Sequence, residues 1–198
     1  MPRTEEANQI IREQRRTQIL DKSVNVFARK GFTDTKISDI ALANEMSQGL
    51  IYRYFSSKEE LYGIVVEGTL QLMVNLARQA AKEAEPGLDR IRWFTGQLLP
   101  YLYERPEGTM LIMQALTNEA VPPAVKEMAV NSTIEVIATI QQFIVEGQQA
   151  SQITRHDTYQ LAVLFMSTLN GLSAGASFLE NAPAEFPDIE TVIRFLKA

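Results

Sequence analysis

Cysteine is absent from this 198-residue chain, and histidine occurs once, at His156. The first absence excludes disulfides and thiolate metal sites; the second excludes a multi-histidine metal site within one chain. A glycine-rich phosphate loop and a convincing nucleophile motif are also missing, which leaves an enzyme little to stand on. No run of apolar residues approaches the roughly 20 that cross a bilayer, and Met1-Pro2-Arg3-Thr4-Glu5-Glu6 is too polar for a signal peptide. The expectation is a cytoplasmic protein that is not an enzyme, with no cofactor, no metal and no membrane partner. What is present is a hydrophobic content of 45%, enough to bury a substantial core in a chain of this length.

Positive charge is also scarce overall, with a net charge of −5 and a pI near 5.1. Phosphate binding depends on Lys and Arg, so this balance argues at first against nucleic acid. The distribution reverses that. Up to Lys58 the chain carries ten basic residues against seven acidic ones, a local balance of +3, and the remainder carries −8. The two parts are built for different jobs.

Helical periodicity runs through the chain, and strand-like alternation, internal repeats and low-complexity tracts are missing, so the chain reads as all-α with about nine helices. A first helix spans about Arg12 to Lys30 on Ile19, Leu20, Val24 and Phe27, with Gly31 where a left-handed cap is wanted. Thr35 is the expected cap of a short second helix carrying Ile40 and Ala41. Asn44-Glu45 makes a turn, and a third helix from Ser47 to Tyr54 puts Leu50 or Ile51 inward and Gln48, Gly49, Tyr52 and Arg53 outward. Ser57-Lys58-Glu59-Glu60 is a capping box that opens a long helix to about Glu83. Further helices are expected over Leu88–Tyr103, Glu107–Asn118, Pro123–Gly147 and Asp157–Leu179, each bounded by Pro, Gly or a capping box. A last one carries the stripe Ile189, Val192, Ile193, Leu196.

A short helix this rich in polar and aromatic side chains, after a tight turn, is suited to the major groove of duplex DNA. Gln48 is the best base reader, since its amide pairs bidentately with adenine. Gly49 admits close backbone approach, and Ser47, Tyr52, Tyr54 and Lys58 supply donors that position the duplex. Arg53 reaches phosphate or guanine. Arg12, Arg15 and Arg16 read as a solvated first helical turn rather than as an arm in the minor groove.

Ile19-Leu20, Phe27, Gly31-Phe32, Thr35, Asp39-Ile40-Ala41, Ser47, Gly49, Ile51-Tyr52, Tyr54-Phe55 and Lys58-Glu59-Glu60-Leu61 together resemble the tetracycline-repressor-like (TetR) family of bacterial transcription factors. The resemblance implies a three-helix DNA-binding head over residues 1–58 and a helical ligand-binding and dimerisation body over residues 59–198. It also implies release of a palindromic operator when a small molecule binds, and it adds Lys36 and Ser38 to the phosphate contacts, with Tyr54 and Lys58 the firmest of the set. Two positions depart from the family pattern. Glu45 stands where the turn commonly has glycine, so that either Glu45 or Asn44 must take the left-handed conformation, and Leu50 stands where Thr or Ser is common. These departures keep open the alternative of a helical adaptor that retains the head without binding an operator.

In the body, Trp93, Phe94, Leu98, Tyr101, Tyr103, Met110, Met113, Phe143, Phe165, Met166 and Asn170 are candidates to enclose a cavity for a hydrophobic or aromatic effector. Leu169, Leu172, Gly175, Ala176 and Leu179, with the stripe Ile189, Val192, Ile193, Leu196, are candidates for a homodimer interface in which two helices from each chain form a four-helix bundle.

Overall fold

The computed structural model describes residues 5–178 and 186–198. Among these, nine α-helices and one 3₁₀ turn follow one another without a β-strand. Helices α1 (Glu5–Asp34), α2 (Ile37–Ala43) and α3 (Gln48–Ile51) make the head. The body consists of α4 (Lys58–Glu83), α5 (Leu88–Glu104), α6 (Glu107–Thr117), α7 (Pro123–Gln149) and α8 (Thr158–Phe178), closed by α9 (Ile189–Val192) and a 3₁₀ turn over Arg194–Leu196.

Local chemistry accounts for the head's boundaries, with small shifts from expectation. Helix α1 begins before Arg12, and Gly31 interrupts it at φ 78, a value that favours glycine. Thr35 does not cap α2. Its hydroxyl donates to the carbonyl of Gly31 at 2.6 Å, because that carbonyl is freed at the helix end. Lys36 takes the cap position instead, with its backbone N–H donating to Asp39 Oδ2 at 2.9 Å. In the following turn Glu45 adopts φ 57, while Asn44 stays right-handed and donates its buried amide to the carbonyl of Ile40 at 2.9 Å. The left-handed conformation costs a residue with a Cβ about 1 kcal/mol, which the Met46 N–H bond to Ala41 O at 2.9 Å helps to offset.

Two clusters of buried apolar side chains hold the fold, and they do not divide where the head ends. The first joins Ile19, Phe27, Ile40, Ile51 and Phe55 of the head to Leu61, Val65 and Leu70 of α4, and on to Leu111 and Ala115 of α6 and Ala129 of α7. The second runs from Val74 on α4 through α5, α7 and α8 to Leu196. Met73 packs against both. The head is therefore anchored through α4 and α6 rather than hung on a linker.

Helix α7 is long and apolar enough, by length and composition alone, to cross a bilayer. The sequence expectation of no such run needs this correction. In the fold the helix packs against α4, α5, α6 and α8, and its Glu135 and Glu146 pair with Arg78 and Arg90.

The chain's end departs most from expectation. Val192, Ile193 and Leu196 are buried in the protomer's own second cluster, as is Leu169 of α8. Ile189 packs on α5, where a Cβ on Gly96 would stand 3.2 Å from its Cδ1. Backbone bonds from Thr154 N–H to Leu196 O (2.8 Å) and from Ala198 N–H to Gln152 O (3.1 Å) pin the segment to the α7–α8 loop. Fully burying such a side chain stabilises the protomer by about 1.5 to 3 kcal/mol, so Leu169, Val192, Ile193 and Leu196 are not free to pair with a second chain, and Ile189 is half-buried against α5. Leu172 also packs against the second cluster. Leu179 lies outside the described residues.

Candidate nucleic-acid interface and cavity

Helix α3 is a single turn that continues irregularly to Tyr54. Ser47 caps it by accepting the N–H of Leu50 at 3.2 Å. Between the two candidates for the inward position, Ile51 is fully buried and Leu50 only half so. That choice turns Ser47, Gln48, Gly49, Tyr52 and Arg53 to the surface, with Tyr52 exposed by 53% despite its size. No side-chain hydrogen bond or ion pair within the protein involves Gln48, Tyr52 or Arg53 among the described residues, so their polar groups stand available. Tyr54 is half-buried against the head cluster, which holds its ring in place.

Lys36 is exposed and Ser38 half-exposed at the start of α2. The nearby negative charge is already committed. Asp39 accepts from the ammonium of Lys30 at 2.8 Å and from the backbone of Lys36, and these two, in that order, hold its carboxyl below the ordinary range.

Lys58 is a correction. Its ammonium donates to the carbonyls of Phe32 (2.8 Å) and Thr33 (3.3 Å) and lies 4.5 Å from the centre of the Phe32 ring. It braces the end of α1 against the start of α4, where two orphaned carbonyls converge. At the same helix start Ser57 accepts the N–H of Glu60 at 3.0 Å, but the Glu60 carboxylate turns to the hydroxyl and N–H of Ser56 at 2.5 and 2.6 Å. The capping box thus closes one residue earlier than its sequence suggests.

In the body, a cavity of about 120 Å³ lies between α4, α6, α7 and α8, at the seam of the two clusters. Its walls are Leu70, Met73, Thr109, Ile112, Met113, Leu116, Thr133, Val136, Ile137, Val163, Met166, Ser167 and Asn170. Of the expected lining residues it contains Met113, Met166 and Asn170. Phe94, Leu98, Phe143 and Phe165 are core instead, each at most 2% exposed. Trp93 and Tyr101 pack against that core from its edge, Met110 lies half-buried outside the cavity, and the Tyr103 ring meets that of Phe186 at a tilt, with centres 5.2 Å apart. The aliphatic and threonine walls were missed because aromatic content does not distinguish a wall from a wedge; helical spacing on α6 (109, 112, 113, 116) was the available signal.

The opposite face of α6 meets the head. Leu111 and Ala115 join the head cluster, and Gln114 Nε2 donates to the carbonyl of Ala28 on α1 at 2.8 Å. One helix is both cavity wall and head support.

The model for bacterial regulatory proteins of the tetR family matches residues 19–63, which cover α2, α3, their turn and the braced start of α4. This stretch is a TetR-family regulatory domain. Among its relatives, the HTH-type transcriptional activator FasR of Mycolicibacterium smegmatis is 28% identical over 107 residues, 54% of this chain and 49% of that protein. The matched stretch thus spans about half of that relative's length. The HTH-type transcriptional repressor DhaR of a Mycobacterium species is 21% identical over 71% of this chain and 70% of its own. In fold, the MbdR regulator of Azoarcus sp. CIB superposes with a TM-score of 0.79 over 91% of this chain and 96% of that one, at 18% identity. The fold, body included, is therefore shared with that regulator.

Proposed function

We propose that this TetR-family chain is a ligand-responsive transcriptional repressor, acting in the cytoplasm, that binds a palindromic operator as a homodimer and releases it when a small apolar or aromatic molecule enters the body. The division of labour is residues 1–58 for DNA and residues 59–198 for sensing and dimerisation. One observation carries this reading: an exposed Gln48–Arg53 surface with unpaired polar groups, on a head held rigid from beneath.

Gln48 reads bases, and Ser47, Tyr52, Arg53, Tyr54, Lys36 and Ser38 contact the backbone or flank the groove. For the dimer, the outward faces of α7 and α8 replace the carboxyl-terminal stripe. Val130, Ile134 and Leu164 are exposed there, and Gly171 and Gly175 look onto open space. Two such helix pairs form a four-helix bundle that fixes the separation of two α3 helices near the roughly 34 Å of one duplex turn.

The cavity is small against the usual 300 to 1,000 Å³ of ligand sites. A cavity of about 150 Å³ holds benzene, so at about 120 Å³ even an effector of that size needs the walls to give, and a larger one must displace α6. Displacing α6 disturbs Gln114 and hence Ala28 on α1, and a change from mostly bound to mostly released needs an effector preference on the order of 5 kcal/mol. The adaptor alternative rested on Glu45 and Leu50. With Glu45 accommodated in the turn and Leu50 half-buried, no specific observation favours it.

The test is selection of fragments from the source genome on the full-length chain, followed by binding to the enriched duplex. A shared palindrome whose affinity falls steeply with salt is the expected result. No enrichment over random fragments rejects the reading.

A further inference from the structure

Helix α1 starts at Glu5, yet among its described side chains the first fully buried one is Ile19. Its leading turns as far as Arg15, about 16 Å of helix, bury no side chain in the head cluster among those described, and Ile10 there is 53% exposed.

Asn8, Ile11, Arg12 and Arg15 fall on one face of the extension. That face looks across a cleft of about 490 Å³ to Leu50, Arg53 and Tyr54, at the far end of the recognition segment. Arg12, Arg15 and Arg53 are all exposed, and none makes an ion pair among the described residues. No carboxylate lines the cleft. Arg16, the next cation along, is engaged otherwise, with its guanidinium 5.4 Å from the Phe55 ring centre. Three like charges turned to one space repel one another until an anion enters, and the planar fork of arginine matches a phosphodiester in two hydrogen bonds.

We infer that Arg12 and Arg15, together with Arg53, grip the phosphate backbone of duplex DNA beside the groove that receives α3. This rests on the DNA-binding reading above and extends the contact surface beyond residues 19–63, the stretch that matches the family model. A minor-groove arm is the poorer account. The segment is helical, and two of its guanidiniums turn toward α3.

The experiment compares the full-length chain with the double variant Arg12→Gln, Arg15→Gln, using a mixed-sequence duplex and the selected operator across about 50 to 200 mM salt. Losing two phosphate contacts lowers the slope of log affinity against log salt by about 1.8, so the variant's affinity falls about tenfold less than the parent's across that range. The weakening is uniform across sequences, helical content and oligomeric size are unchanged, and the control Arg155→Gln on the body leaves the slope alone. A double variant with the parent's slope and affinity overturns the inference, as does a loss confined to A·T-rich flanks. If the parent itself shows no affinity for either duplex, the proposed function fails first and this inference falls with it.

Discussion

Five of the body's nine cations form ion pairs, whereas among the described cations of the head only Lys30 does. In the body, Arg78 pairs with Glu135 at 2.6 Å, Arg90 with Glu146 at 2.8 Å, and Arg92 and Lys197 converge on Glu190. In the head, Lys30 is paired and Lys58 is spent on carbonyls, but Lys36, Arg12, Arg15 and Arg53 have no carboxylate partner among the described residues. Net charge hides this contrast, since the chain as a whole is acidic. Unpaired charge, not total charge, marks the surface that meets a polyanion. The head should therefore lose function without losing stability, and the body should do the reverse.

The largest effect expected is on the head. Replacing Gln48 by Ala and Arg53 by Gln removes the proposed base reader and its proposed flanking cation, each worth about 1 to 3 kcal/mol in that role. Operator affinity should fall about a hundredfold or more, measured by titration of a labelled duplex, while the melting temperature stays put. A variant that melts early would mean these side chains support the fold, and the contrast would collapse.

Next comes the body's counterpart. Gly87 begins α5 at φ 87, and a Cβ there would stand 2.4 Å from Gln152 Oε1 and 2.8 Å from the Cα of Gly147. Gly87→Ala should cost about 2 to 3 kcal/mol from strain and overlap, read as a melting point lower by roughly 5 to 10 °C. Below its melting point the variant should still bind the operator within a few-fold of the parent. Loss of binding in the folded variant would show that the two regions are coupled more tightly than their cores suggest.

How far the sequence foretells this differs by region for the same physical reason. The head's signals are local. Ile51 against Gln48 and Arg53 is a matter of helical phase, and Gly31 and Glu45 announce turns through backbone chemistry. Where a local signal misled, the competitor was a neighbour: Thr35 found the Gly31 carbonyl, and Glu60 found Ser56. Lys58 was out of reach, because the carbonyls it binds lie 25 and 26 residues away and converge on it only in the fold. In the body, periodicity reports that a side chain is buried but not what covers it. Ile193 and Leu196 satisfy a dimer stripe and are covered by their own protomer. Phe94 and Phe143 satisfy a pocket list and fill space that a ligand would need.

A smaller effect sits at the junction of head and body. Tyr62 is fully buried between Phe27 (5.0 Å) and Phe32 (4.8 Å), and its hydroxyl has no partner among the described residues. Tyr62→Phe keeps the packing and removes an unpaired polar group, so it should raise stability by about 1 kcal/mol. Burial pushes the phenol up to about 12, above its ordinary 10.0. A raised value means that the protonated form is favoured in the fold. The associated stability is full below pH 10 and is lost as pH rises toward about 12. Denaturant titrations from neutral to alkaline pH should show this decline in the parent and its absence in the variant; a parent curve flat over that range would point to a water or a hidden partner at the hydroxyl.

The smallest effect tests the body's paired charges themselves. Glu190 at the start of α9 accepts from Arg92 Nε at 2.6 Å and also pairs with Lys197, and these two, Arg92 first, hold its carboxyl at about 2 against an ordinary 4.5. A depressed value contributes stability above the unfolded value, lost as pH falls from about 4.5 through about 2. The site is open to solvent, so water and salt screen it and the shift in melting point should be slight at neutral pH. Glu190→Gln should flatten the acid limb of the stability curve over that window, most visibly at low ionic strength, and leave DNA affinity untouched. If the acid limb survives the substitution, other carboxylates govern it, and Arg92 and Lys197 hold the carboxyl-terminal segment less firmly than its buried Ile193 and Leu196 do.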